Sequence, residues 1–399
     1  MATENQATID EYTAGTTTER VTRTIPLRLE TSNEKNGLVQ QGIDEFQEMT
    51  AYMASMLPSF PEYQWVPNNS TNYRMVTREF PTEERTVKST IAREAGQKVA
   101  EAFRSWRSNG KPGRRPQFGE GDYVRLSHQD VSIEKNDRGW GLKASFIPYN
   151  PVWFHIDDGV YQREYLRRLT DEDDDLSSGS AELYLSDGEL RCHLTLSWDV
   201  EVYEPAEVST TVGVDLNDDP LYAVGVVDGG GEVLDVQMQR GAEYRHHRER
   251  LKQKRSEAME RDDLRAVKSA RLTYDRYTDH ITNVASRRVV DLAASHTPCV
   301  IHLEELTHYR ETAKDPIHDW PFEEIQRKIC YKATETGVPV QFVNPQYTST
   351  TCRKCGQTAR EYRDGREFAC RRCGYEVHAD VNAALNIAQL DPEGDPLQQ

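Results

Sequence analysis

The chain has little cysteine, little lysine and no long apolar run. Seven cysteines among 399 residues are too few for a disulfide framework. Four form two CxxC pairs, while Cys192, Cys299 and Cys330 stand alone. That usage fits a reducing cytoplasm and a bound metal. No apolar stretch approaches the roughly 18 residues that a membrane-spanning helix needs. Residues 1–19 are polar and lack the apolar core of a secretory signal, so they read as a disordered leader. Lysine numbers 13 against 36 arginines, and 66 acidic side chains bring the net charge to −17. That balance argues at first sight against nucleic-acid binding. Few lysines and many carboxylates are also the composition of a halophilic protein, whose solvated acidic surface keeps it soluble in salt.

The positive charge that is present is clustered. Residues 91–115 carry seven basic and two acidic side chains, residues 241–272 ten and six, and residues 345–378 seven and four. Any one cluster reads as a solvated helix face. Three of them point to phosphate contact, which high salt weakens steeply. Acid concentrates in TDEDDDLSSG (170–179) and in the tail, 391–399.

Hydrophobic spacing divides the chain. VTRTIPLRLE (21–30) alternates as a strand, and residues 32–57 have helical spacing through Ile43, Phe46, Met49 and Met53. Residues 89–110 form a clearer helix, with Ala92, Ala95, Val99, Phe103 and Trp106 on one face. Ser89 is placed to cap it and Asn109-Gly110 to stop it. From Tyr123 to about Val202 the pattern is strand-like, with a hairpin turn at Ser186-Asp187-Gly188. Residues 20–208 therefore read as a β-barrel-like module with a helical insertion at about 32–120. Beyond Ser209 comes a hairpin pair turning at 228–231, then a charged helical stretch at 242–296. A buried strand (PCVIHLEEL), a helix closed by Gly337, a strand (VPVQFVN) and a last helix (ADVNAALNIAQL) follow. The expected fold class is α/β plus β.

Cys352-Arg-Lys-Cys355 and Cys370-Arg-Arg-Cys373 are separated by fourteen residues, and each pair is followed by glycine. Each CxxC knuckle lets two thiolates reach one ion, so the four cysteines predict a structural Zn²⁺ with no open coordination position. A redox CxxC would not require two pairs.

Three acids stand out. Asp215 ends the apolar run VGV, Glu304 ends CVIHL, and Asp380 opens the last helix. An acid at the end of a buried strand is costly unless a cation or hydrogen bonds satisfy it. Converging on Mg²⁺ or Mn²⁺, these three would suit phosphodiester hydrolysis. The plainer readings are a strand-end turn for Asp215 and a helix N-cap for Asp380. Of the adjacent Glu304 and Glu305, Glu304 is preferred because it follows the apolar run directly.

Together GVDLN, VIHLEELT, YKATETGVPVQFVNPQYTSTTCRKCG and CRRCGYEVHADVNAALNIA resemble the TnpB (OrfB-type) proteins of insertion sequences. The resemblance is strong from about Thr211 to Leu390 and weaker across about Arg20–Glu204. It implies an RNase H-like (RuvC) nuclease domain over 209–344 and 379–390, a zinc ribbon over 345–378, and a wedge-like module before them. It also implies catalytic metal ligands at Asp215, Glu304 and Asp380, and zinc ligands at Cys352, Cys355, Cys370 and Cys373. The activity implied is RNA-guided, metal-dependent DNA cleavage, with an element-encoded guide RNA and target DNA as partners. Strand joining would fall to a separate transposase of the same element. Arg93, Lys98, Arg104, Arg107, Lys111, Arg114 and Arg115 would contact nucleic-acid backbone. Two departures stand out: the chain is acidic where many relatives are basic, and Ala379 precedes the third acid where arginine is common. The competing readings are a nuclease-inactive RNA-guided DNA-binding regulator and a transposase that itself joins strands in DNA recombination.

Overall fold

A computed structural model describes residues 15–390 apart from 67–69, 112, 120, 122, 187, 218, 306–320 and 345. The expected leader up to residue 14, Asp187 of the expected hairpin turn, and the acidic tail lie outside the described residues. The chain divides into two compact units. One is Arg20–Asp199, and the other holds the described parts of Met1–Glu19 and Val200–Gln399. Among the described residues no helix is long and apolar enough to cross a membrane.

The first strand, β1 (Thr16–Glu30), begins inside the stretch read as leader. Its alternation buries Val21, Ile25, Leu27 and Leu29. Helices α1 (Asn33–Met56), α2 (Ser70–Glu79) and α3 (Ser89–Ser108) follow. Ser32 caps α1 through Lys35 N. Ser89 does not cap α3: Lys88 occupies that position without a side-chain bond, and the Ser89 hydroxyl instead accepts from Arg85. Ala92, Ala95, Val99 and Phe103 are buried as the helical spacing requires.

Strands β2 (Tyr123–Leu126), β3 (Val131–Asn136), β4 (Gly139–Ala144), β5 (Val152–Asp157), β6 (Ser177–Ser186) and β7 (Glu189–Tyr203) come next, with α4 (Val160–Leu169) after β5. With β1 they form one sheet in the order β2-β6-β7-β1-β5-β4-β3. Its two edge strands, β2 and β3, are joined only by the single turn His128–Asp130. Within this unit Glu94 is buried, and burial raises its carboxyl while Arg125, 3.3 Å away, opposes the rise. Arg125 also pairs with Glu101 at 2.7 Å. This pairing satisfies an acid that would otherwise be costly inside.

The other unit opens with β8 (Thr210–Leu216), β9 (Tyr222–Val227) and β10 (Val233–Gln239). The expected hairpin pair is thus three strands, because a second turn divides the stretch before Tyr222. The charged helical stretch is likewise two helices, α5 (Ala242–Glu260) and α6 (Leu264–Ala294), with Asp263 capping α6 through Ala266 N. Then come β11 (Cys299–Glu304), α7 (Phe322–Glu335) and β12 (Val340–Val343). The sheet order is β10-β9-β8-β11-β12, with β8–β9 and β9–β10 antiparallel and β8–β11 and β11–β12 parallel.

Alternation gives this sheet two different faces. Val212, Val214, Leu216, Ile301 and Leu303 pack against Val289, Ala293, Ile325 and Ile329 of α6 and α7. Two buried lysines of α7 tie it to α6. Lys328 reaches Thr282 Oγ1 at 2.8 Å, and Lys332 reaches Ser286 Oγ at 2.7 Å. The opposite face carries Gly213, Asp215, His302 and Glu304.

The ribbon strands β13 (Arg363–Asp364), β14 (Glu367–Ala369) and β15 (Glu376–His378) lead directly into α8 (Ala379–Ile387). This helix lies on the sheet's second face, where Ala384 and Leu385 pack with Ala223 and Val227. Two glycines permit the approach. A Cβ on Gly213 would collide with the Ala384 carbonyl oxygen, and one on Gly225 would lie 2.5 Å from Leu385 Cδ2.

Candidate metal-dependent nuclease site

Asp215 and Glu304 stand on neighbouring parallel strands, one step beyond the paired residues Val214 and Leu303. Period-two alternation turns both toward α8, whose first turn contributes Asp380. Asp215 and Asp380 are buried and Glu304 is nearly so, whereas Glu305 is exposed. The structure therefore brings the three sequence-derived acids together at one end of the sheet.

Their charges act on one another. Burial pushes the Asp215 carboxyl well above the usual carboxylate range, and Glu304 and Asp380 push it further, while Arg363 pulls it back. Burial raises Glu304 to about 7 against the Thr348 hydroxyl, which donates to Glu304 Oε1 at 3.3 Å. Like charges held this close in a dry site call for a cation. Arg363 supplies one from the ribbon, donating from Nη2 to Asp380 Oδ1 at 2.9 Å. His378 Nδ1 accepts from the Asp380 backbone N–H at 3.3 Å. The buried acids are a fitting set of hard oxygen donors for a divalent ion. They are not drawn up as tightly as the cysteines, the one His/Cys/Asp/Glu group among the described residues whose ligand atoms all lie within 4.8 Å of one another.

That cysteine group is Cys352, Cys355, Cys370 and Cys373. The Cys352–Cys373 and Cys355–Cys370 sulfur separations are 3.7 and 3.6 Å. A tetrahedron with Zn–S bonds of about 2.3 Å has edges of about 3.8 Å. The donor set and its spacing fit zinc. Each knuckle closes with a glycine N–H, Gly356 to Cys352 O and Gly374 to Cys370 O, both at 2.9 Å. The glycines take φ of 67° and 68°, a conformation that favours residues without a side chain.

The ribbon is fastened close to the acids. The Arg353 backbone N–H donates to Asn382 Oδ1 at 3.1 Å, and its guanidinium donates to Gly231 O at 2.6 Å. Asp219, just past β8 and with its side chain covered, accepts from Gly241 N at 2.9 Å, from Arg245 at 3.0 Å and from Arg366 of the ribbon. Sequence reading missed Arg363, Thr348 and Asp219. Their partners lie 17, 44 and up to 147 residues away, beyond the reach of any local spacing.

The seven basic residues expected to touch nucleic acid lie in the Arg20–Asp199 unit and differ in state. Lys98 pairs with Glu182 at 2.7 Å, Lys111 with Glu62 at 2.6 Å, and Arg107 donates to Glu62 O at 2.9 Å. Arg104, Arg114 and Arg115 are exposed. Arg93 lines a cavity of about 320 Å³ with Asn72, Thr90 and Gln97.

Comparison with known proteins follows the same outline. The family model of the Cas12f1-like TNB domain matches residues 322–387. A CRISPR-associated endodeoxyribonuclease Cas12f1 from Sulfoacidibacillus thermotolerans is 37% identical over 126 residues, covering 31% of this chain and 30% of that protein. The putative RNA-guided DNA endonuclease InsQ of Escherichia coli is 44% identical over 72 residues, 18% of each chain. The matches thus span less than a third of these relatives. Among solved structures, a Cas12f1–sgRNA–target DNA complex aligns with a TM-score of 0.64 at 15% identity, over 92% of this chain and 99% of that one. The overall fold is similar to that of the Cas12f1 chain in that complex. Motif order, cysteine cluster and fold are each similar to those of these RNA-guided nucleases and TnpB-like proteins.

Proposed function

We propose that the chain is an RNA-guided, divalent-metal-dependent DNA endonuclease encoded by a transposable element. The observation that carries this reading is the meeting of Asp215, Glu304 and Asp380, from two strands and a helix, in a nearly dry site where Asp215 is pushed up by both other acids. Such carboxylates would hold Mg²⁺ or Mn²⁺. When bound, the ions supply an activated water and stabilise the leaving oxygen of a phosphodiester. The chain's own residues set the geometry. Thr348 orients Glu304, Arg363 orients Asp380, and α8 holds Asp380 over β8. The ribbon zinc, with four protein ligands, would be structural.

An element-derived guide RNA would pair with target DNA, and the protein would read duplex shape and a short adjacent motif. Residues 20–208 would serve as the wedge-like module with its helical insertion. The single turn joining edge strands β2 and β3 supports a barrel-like closure. Arg93, Arg104, Arg114 and Arg115 would meet phosphate directly, while Lys98, Arg107 and Lys111 would first leave partners within the chain. Strand joining would belong to a separate transposase, the setting a cytoplasm, and the acidic surface is suited to molar KCl.

The test is plasmid cleavage by protein co-purified with its RNA, in Mg²⁺ and molar KCl, with Asp380→Ala as control. Cutting that needs RNA, metal and Asp380 supports the reading. RNA-dependent binding without cutting would instead indicate a regulator, and strand joining without a partner a transposase.

A further inference from the structure

Tyr347 has φ of 68°. That is the left-handed region, where a bulky side chain is strained. At the same φ the two ribbon knuckles use Gly356 and Gly374. Packing does not repay the strain, because Tyr347 is 62% exposed. A turn that merely had to form would be better served by glycine or asparagine.

The turn is held firmly against both catalytic elements. Tyr347 O accepts from the N–H groups of Thr350 and Thr351, each at 3.0 Å. Thr348 O accepts from Asn386 Nδ2 at 2.7 Å, and Thr351 O accepts from Asn382 and Asn386, each at 2.8 Å. Those asparagines sit on α8, whose first turn carries Asp380. The next residue after Tyr347, Thr348, touches Glu304. The backbone that carries an exposed aromatic ring is thereby held one residue from the partner of the second acid, on a loop bonded to the helix of the third.

We propose that Tyr347 is a substrate-positioning residue, whose ring stacks on an unpaired base of the DNA strand entering the nuclease site. This rests on the nuclease reading above and adds to it a residue that positions the substrate strand. Stacking suits such a role, since every base has a π face and no sequence is selected.

The test uses the full chain co-purified with its RNA, with fluorescein-labelled dT12 as probe. Binding is read by anisotropy and cutting by gel. The variants are Tyr347→Gly, Tyr347→Phe and Tyr347→Leu. Tyr347→Gly should melt at or above the wild-type temperature, since it relieves the backbone strain. It should nevertheless weaken dT12 binding by about 5- to 100-fold, the range expected for one stacked base. Tyr347→Phe should stay within about twofold of wild type, and Tyr347→Leu should resemble Tyr347→Gly. A Tyr347→Gly protein that binds dT12 like wild type overturns the proposal, as does wild-type protein that does not bind it. Binding that depends on the ring with no cutting upholds the stacking platform and removes the nuclease reading. Normal cutting and binding by Tyr347→Gly does the reverse.

Discussion

Arg363 of the ribbon donates to Asp380 of the last helix across 2.9 Å, and the receiving carboxylate is buried. The pair gives Asp380 a positive neighbour in a site crowded with negative charge. It also joins the cysteine-bound ribbon to the site of the acids. Removing one partner of a buried pair leaves the other uncompensated. Arg363→Ala should therefore lower the stability of the metal-free protein by roughly 1–3 kcal/mol. In saturating Mn²⁺ the difference should shrink, because a divalent ion would satisfy the same acid. Thermal melts with EDTA and with Mn²⁺ check both halves; an equal loss in the two conditions would place Arg363 outside the site's charge balance.

Asp215 and Glu304 hold protons more tightly in the folded chain than in the unfolded one. Their contribution to metal-free stability should then be fully present below the ordinary carboxylate pKa of about 4 and be lost as pH rises through the folded values. For Glu304 the folded value is about 7. Asp215→Asn removes one titrating group from that fall. It should abolish cutting, leave stability near pH 4 little changed, and raise it at pH 8 by roughly 1–3 kcal/mol. Denaturant melts in EDTA at the two pH values measure this.

Gly213 sets the distance between β8 and α8. A methyl group there meets the Ala384 carbonyl and the Ala388 backbone, neither of which can yield without moving the helix. Gly213→Ala should cost roughly 3 kcal/mol or more. It should also impair cutting by displacing Asp380. A stable, fully active Gly213→Ala protein would contradict the described packing.

The cysteine cluster makes a separate prediction. Cys352→Ser should reduce bound zinc below one ion per chain and lower the melting temperature. It should also loosen the Arg363–Asp380 contact, since the ribbon presents Arg363. Metal analysis with melting curves checks it, and unchanged stability without zinc would remove the structural role.

Much of this was legible before any coordinates. The apolar runs of TTVGVDL and CVIHLE marked buried strands, and the acids at their ends stood out because burial makes them expensive. CxxC spacing marked the ribbon because two thiolates on one knuckle have few other uses. The missed features depend on contacts between distant residues. Arg363 is one of seven basic residues in residues 345–378, and only the folded ribbon brings it to Asp380. The second turn before Tyr222 falls where the sequence reads Asn217-Asp218-Asp219-Pro220, residues that carry a turn signal of their own and divide the two apolar runs. Lys98, Arg107 and Lys111 show what a basic cluster cannot reveal in sequence: each of these side chains already has a partner in its own chain.

The most direct test sets Glu304 against its neighbour Glu305. Glu304 faces Asp215 across the sheet, while Glu305 is exposed. RNA-bound protein is given matched plasmid DNA in Mn²⁺, and the cutting rate is measured for Glu304→Gln and Glu305→Gln. The site described here predicts that Glu304→Gln loses cutting by at least about a thousandfold while Glu305→Gln keeps it within about threefold, as expected for loss of a catalytic metal ligand against a surface change. Substantial cutting by Glu304→Gln, or equal loss in both variants, would contradict it.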